Sequence, residues 1–82
     1  MEDTFGKRLA RIRGYKRFSQ QDIADVTGIR VQNISRFETD ERCRVRSDTL
    51  IKLAHALECS ADYLLGLTDD PTPHWTRREV AP

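Results

Sequence analysis

Between Ser19 and Glu38 the sequence sets two short apolar stripes on either side of a single glycine, and this spacing constrains the fold more than any other feature. Ser19 precedes Gln20, Gln21 and Asp22, and Ser19-x-x-Asp22 resembles a capping box with Asp in place of the usual Glu or Gln. Ile23, Ala24 and Val26 supply a short apolar face. Thr27-Gly28 stops that helix, because glycine reaches the left-handed conformation without a Cβ clash. A further helix follows almost at once, roughly over residues 31–38, with Ile34 and Phe37 inward and Ile29 packing at the turn. At about 100° per residue, Gln32, Ser35 and Arg36 point the opposite way. That outward face carries amide, hydroxyl and guanidinium groups and no acid.

The flanking segments read as helices too. Phe5, Leu9 and Ile12 fall at i, i+4 and i+7 on one helical face. Asp3 or Thr4 caps its start, and Lys7, Arg8 and Arg11 lie away from the apolar stripe. Gly14 either ends this helix or lies in its last turn. A polar loop from Thr39 to Arg46 carries Arg42, Arg44 and Arg46. A fourth helix starts near Ser47-Asp48, with Leu50, Leu53, Ala54 and Leu57 on its apolar face. After a tight connection at Glu58-Cys59, Ser60 caps a short fifth helix that Gly66 ends. The Asp69-Asp70-Pro71-Thr72-Pro73 run then breaks regular structure. No segment alternates as a strand does. The expected fold is all-α: five short helices in one domain over residues 1–68, followed by a tail over 69–82 that is loose or docks on a second subunit or a partner.

Eighty-two residues suit one modest core. No run approaches the ~20 apolar residues of a membrane span, and the acidic start Met1-Glu2-Asp3-Thr4 is not a signal peptide. The expected location is therefore the cytoplasm, where Cys43 and Cys59 stay free thiols. Cys59 reads as a small core residue. Cys43 lies between Arg42 and Arg44. The net charge of +1 hides an asymmetry: eleven Lys or Arg against seven Asp or Glu through Arg46, and three against six from Ser47 onward. A basic front half and an acidic back half point the front toward a polyanion. No Ser-His-Asp set, phosphate-cradling glycine loop or metal cluster is present. His55 and His74 lack zinc-ligand spacing. No enzymatic activity, cofactor or metal is expected.

Two short helices joined by a tight glycine turn form a unit with a mechanical meaning. The first lies across a DNA backbone, and the second fits the major groove, which is wide enough for one helix. The ordered residues Phe5-Gly6-Lys7-Arg8-Leu9, Ile12-Arg13, Ser19-Gln20-Gln21-Asp22-Ile23-Ala24, Gly28-Ile29 and Ile34-Ser35-Arg36-Phe37-Glu38 resemble the phage-repressor and Cro family of helix-turn-helix regulators, also called the Xre type. Thr49-Leu50, Leu53-Ala54, Ala56-Leu57 and Ser60-Ala61-Asp62-Tyr63-Leu64-Leu65-Gly66 continue the likeness, which covers roughly residues 4–67.

The resemblance implies a compact lambda-repressor-like domain and roles by position. Gln20 corresponds to a residue that contacts phosphate and braces a base-reading side chain. Val31, Gln32 and Arg36 correspond to base-reading positions, and Asn33 to one that touches DNA in some members and packs internally in others. Arg13 and Glu38 match a pair tying the first helix to the end of the third. The chemistry agrees: Gln bonds adenine N6 and N7 together, Arg bonds guanine O6 and N7, and Val31 suits a thymine methyl. Arg30, Arg42 and Arg44 are candidates for backbone contacts, with a solvated charge run an even alternative for the loop arginines.

Three departures stand out. Arg17 replaces the usual glycine after the first helix, Arg30 replaces a capping Ser or Thr, and the loop after Glu38 is longer than usual and lacks the customary Gly and Pro.

The expected function is sequence-specific binding of double-stranded DNA by a dimeric transcriptional repressor. Three base-reading residues per half-site give useful specificity only when two half-sites about 34–36 Å apart are read together. Leu64, Leu65, Leu67 and Trp75 are the candidate dimer contacts, with intrachain core the alternative for the leucines. Two rival functions stand beside this one. In the first, an antitoxin-type protein neutralises a partner protein through its acidic second half and the Trp75 tail. In the second, the chain is the controller of a restriction-modification system.

Overall fold

The computed structural model describes residues 4–73. It contains α1 (Phe5–Tyr15), α2 (Gln20–Thr27), α3 (Val31–Thr39), α4 (Ser47–Leu57) and α5 (Ala61–Leu65), and no strand among the described residues. Each boundary has a local cause. Thr4 caps α1 by accepting from the Lys7 amide. Ser19 and Asp22 form the reciprocal capping box of α2: Ser19 Oγ accepts from the Asp22 amide and the Asp22 carboxylate from the Ser19 amide, both at 2.9 Å. Ser60 Oγ accepts from the Tyr63 amide to start α5. Gly28 and Gly66 end α2 and α5 at φ of 78° and 84°, a region that costs other residues a Cβ clash.

The helices close around Leu9, Ile12, Ile23, Ile34, Leu53, Leu57, Cys59 and Leu64, all buried. α1 packs against α3 and α5, and α2 against α3 and α4. The α1–α3 crossing is tight at Gly6, where a Cβ would meet the Phe37 carbonyl oxygen and come within 2.8 Å of that of Glu38. Phe5 and Phe37 meet edge to face beside it, with ring centroids 6.4 Å apart. No helix of the described residues is long and apolar enough to cross a membrane.

Several sequence expectations change. Arg8, placed away from the apolar stripe of α1, is buried. Its guanidinium donates to the carbonyls of Tyr63 and Thr68, each at 2.9 Å, pairs with Asp69 at 2.8 Å and lies 5.0 Å above the Tyr63 ring. α5 and the chain after it cover the polar flank of α1, which a single-helix periodicity cannot foresee. Val26, expected in the apolar face of α2, is instead 70% exposed. Gly14 lies in the last turn of α1, one of the two placements left open by the sequence. Residues 69–73 fold back onto the domain, with the Ser60 amide donating to the Pro71 carbonyl at 2.9 Å and Pro73 buried. The rest of the expected tail, including His74 and Trp75, lies outside the described residues.

Candidate nucleic-acid interface

α3 is anchored from one side and bare on the other. Ile34 is fully buried, and Phe37 and Val31 pack against the core. Gln32, Asn33 and Arg36 are exposed and Ser35 is half-buried. Val31 thus divides its surface between the core and the outside. The helix starts at Arg30, which is exposed and supplies no side-chain cap. A cation therefore stands where a capping hydroxyl is expected.

The far end of α3 is held by one carboxylate. Arg13 Nε donates to Glu38 Oε2 at 2.7 Å and Arg13 Nη2 to Glu38 Oε1 at 3.1 Å. Gln20 Nε2 donates to the same Oε1 at 2.9 Å. Arg13 Nη1 donates to the Phe18 carbonyl at 2.8 Å. Glu38 is nearly buried and Arg13 mostly so, so the pair is shielded and geometrically two-pronged. Donation to the Glu38 carboxylate holds the Arg13 guanidinium above its ordinary pKa, against desolvation. The ion pair implied by the resemblance is present. The Gln20 link to Glu38 had no sequence signal, since a Gln at a helix start reads as solvent-facing. It spends one amide N–H of Gln20 inside the protein and leaves the other for a partner.

Beyond α3, residues 40–46 present Arg42, Arg44 and Arg46 to solvent. The loop begins as a turn in which Asp40 accepts from the amides of Arg42 and Cys43, both at 3.0 Å. Arg46 approaches Asp48 at 3.8 Å, with both side chains exposed, a pair of little energetic weight. Leu64, a candidate dimer contact, belongs wholly to the intrachain core, the alternative open to it in the sequence. Leu65 and Leu67 are 52% and 73% exposed. Cys59 is buried, and desolvation pushes its thiol up to about 11, the behaviour of a packed and unreactive cysteine. Among the described residues no group of acidic, His or Cys side chains is arranged to hold a metal.

Two helices meeting at a left-handed glycine, the second fixed by the core along one face and bare along the other, define a helix-turn-helix unit. Residues 6–69 match the helix-turn-helix domain family, and the chain belongs to it. It is 31% identical over 74 residues to the uncharacterized HTH-type transcriptional regulator YobD of Bacillus subtilis (strain 168), a match spanning 90% of this chain and 65% of YobD. It is 38% identical over 63 residues to the HTH-type transcriptional regulator ImmR of the same organism, covering 77% of this chain and 49% of ImmR. The chain thus spans about half to two-thirds of the length of these curated relatives. Among solved structures it is similar to the P22 c2 repressor, crystallised in complex with synthetic operator 9T, with a TM-score of 0.71, 30% identity and coverage of 78% of this chain and 96% of that one. The five-helix, all-α architecture is that of the phage-repressor type.

Proposed function

We propose that the protein is a transcriptional regulator that binds double-stranded DNA through α3. The bare face of Gln32, Asn33 and Arg36 carries this reading. It is the outward side of a helix whose other side is locked to the core and whose end is pinned by Glu38. A rigid helix presenting amides and a guanidinium without an acid suits the major-groove edges of adenine and guanine. The operator complex of the P22 c2 repressor lends the reading support. Val31 contributes its outward part to a thymine methyl. Gln20, Arg30, Arg42 and Arg44 hold the phosphate backbone, setting register without reading sequence.

The protein acts as a dimer on a near-palindromic operator. The surface that suits a second copy is a shallow groove of about 390 Å³ lined by Phe5, Cys43, Arg44, Val45 and Leu65. In a two-fold arrangement Leu65, which is 52% exposed, fills the partner's groove. Repression follows from occupancy of the operator, and the site of action is the cytoplasm.

The test is fluorescence anisotropy on labelled duplex DNA over a range of salt, with sedimentation equilibrium on the same protein. Binding that weakens steeply with salt, together with a dimer that Leu65→Asp dissociates, supports the reading. Salt-independent or absent binding overturns it.

A further inference from the structure

Two residues other than glycine occupy left-handed backbone among the described residues: Arg17 at φ 65° and Glu58 at φ 52°. Both stand at the same place in the same motif. After α1, the Phe18 amide donates to the Arg13 carbonyl and the Arg17 amide to that of Gly14, each at 3.0 Å. After α4, the Cys59 amide donates to Ala54 and the Glu58 amide to His55. These are the paired bonds of a Schellman turn, in which the left-handed position belongs by preference to glycine. The third such turn, after α5, has Gly66 there. A side chain at this position costs roughly 1–2 kcal/mol.

The two strained side chains differ in what surrounds them. The Glu58 carbonyl accepts from Lys16 Nζ at 3.2 Å, and Glu58 joins α4 to α5. Arg17 is exposed, and its guanidinium makes no hydrogen bond or ion pair with any described residue. Its turn is nevertheless tied to α3. The next residue, Phe18, takes a bond from Arg13, and Arg13 and Gln20 both bond Glu38. A cation with no side-chain partner among the described residues is thus held in costly backbone on the segment that the Glu38 network fixes relative to the exposed helix.

We infer that Arg17 is a phosphate contact of the DNA complex, retained at the expense of stability. The inference rests on the DNA-binding reading and adds to it a residue whose gain in affinity opposes its cost in folding. Glu58 bears the same strain with no part in binding.

Four variants separate the terms. Arg17→Gly and Glu58→Gly each relieve strain, so thermal denaturation should show a rise in Tm of a few degrees for both. On a mixed-sequence duplex, Arg17→Gly should bind several-fold more weakly than wild type, with a salt slope shallower by about 0.9. Glu58→Gly should match wild type in affinity and slope. Arg17→Ala, which keeps the strain and loses the charge, should reproduce the binding defect without the gain in Tm. Arg17→Lys should keep most of the slope.

Arg17→Gly and Arg17→Ala binding as tightly as wild type, with the same slope, overturns the inference while leaving the DNA-binding reading intact. A wild-type protein that binds no duplex overturns both.

Discussion

Arg13 and Glu38 make a two-pronged ion pair that joins the last turn of α1 to the last turn of α3, with contacts of 2.7 and 3.1 Å. Through the same carboxylate, Gln20 at the start of α2 is bound as well. One acidic side chain therefore fixes the mutual placement of the three helices on which the proposed interface is built. Shielding is what makes it effective, because an exposed pair of the same geometry contributes little. Removing one partner strands the other.

Glu38→Ala should therefore destabilise the domain by about 1–3 kcal/mol, because the partly buried Arg13 keeps the Phe18 carbonyl but loses its carboxylate, and the Gln20 amide loses its acceptor. Urea denaturation measures it. The double variant Arg13→Met with Glu38→Leu should lose much less than the sum of the two single changes, since no charge is stranded. Additive losses would contradict the shielded-pair account.

Two glycines in α1 should respond to alanine in opposite directions. At Gly6 a Cβ runs into the carbonyls of Phe37 and Glu38 at the end of α3, so Gly6→Ala should lower stability and disturb DNA binding through the displaced helix. At Gly14 a Cβ meets nothing within 4 Å, and the position is helical, so Gly14→Ala should raise stability by roughly 0.5–1 kcal/mol. Thermal denaturation of the pair checks both signs.

Cys59 ties stability to alkaline pH. Burial raises its folded pKa from the ordinary value of 9.0 to about 11. Below 9 both states hold the proton and its contribution is complete. Between 9 and 11 the unfolded chain releases the proton first, so stability falls as pH rises. Cys59→Ala should start from lower stability, having lost packing, but should show a smaller decline over that interval. At neutral pH an alkylating reagent should modify the half-buried Cys43 well before Cys59.

Base readers and backbone holders should separate in binding data. Gln32→Ala and Arg36→Ala should relax the preference for particular bases, each contact discriminating by about 1–3 kcal/mol. Arg42→Ala and Arg44→Ala should weaken binding evenly across sequences and flatten its salt dependence. Quantitative binding to a panel of single-base operator variants checks the division, and like behaviour of all four would contradict it.

Much of the fold is legible in the sequence because its signals are local. Ser19 and Ser60 mark helix starts, Gly28 and Gly66 mark helix ends, and Leu53, Ala54 and Leu57 mark a buried face, each readable within a few residues. Arg13 and Glu38 lie twenty-five positions apart, and only the family resemblance joined them. What escaped was set by tertiary contact. Arg8 reads as solvated until α5 and residues 68–69 close over it. Gln20 reads as solvated until Glu38 reaches it. Val26 looks apolar and inward, yet α4 leaves it exposed. Residues 69–73 look like a tail because prolines break helices, and nothing local says that a chain without helix still packs.

The most direct test of the central claim is selection of bound sequences from a random duplex pool by the wild-type protein, repeated with Arg36→Ala. Wild type should select a near-palindromic site, with half-sites about one helical turn apart, and the variant should lose its preference at one symmetric base position. Enrichment of no sequence by wild type, or an unchanged motif for Arg36→Ala, would contradict recognition through α3.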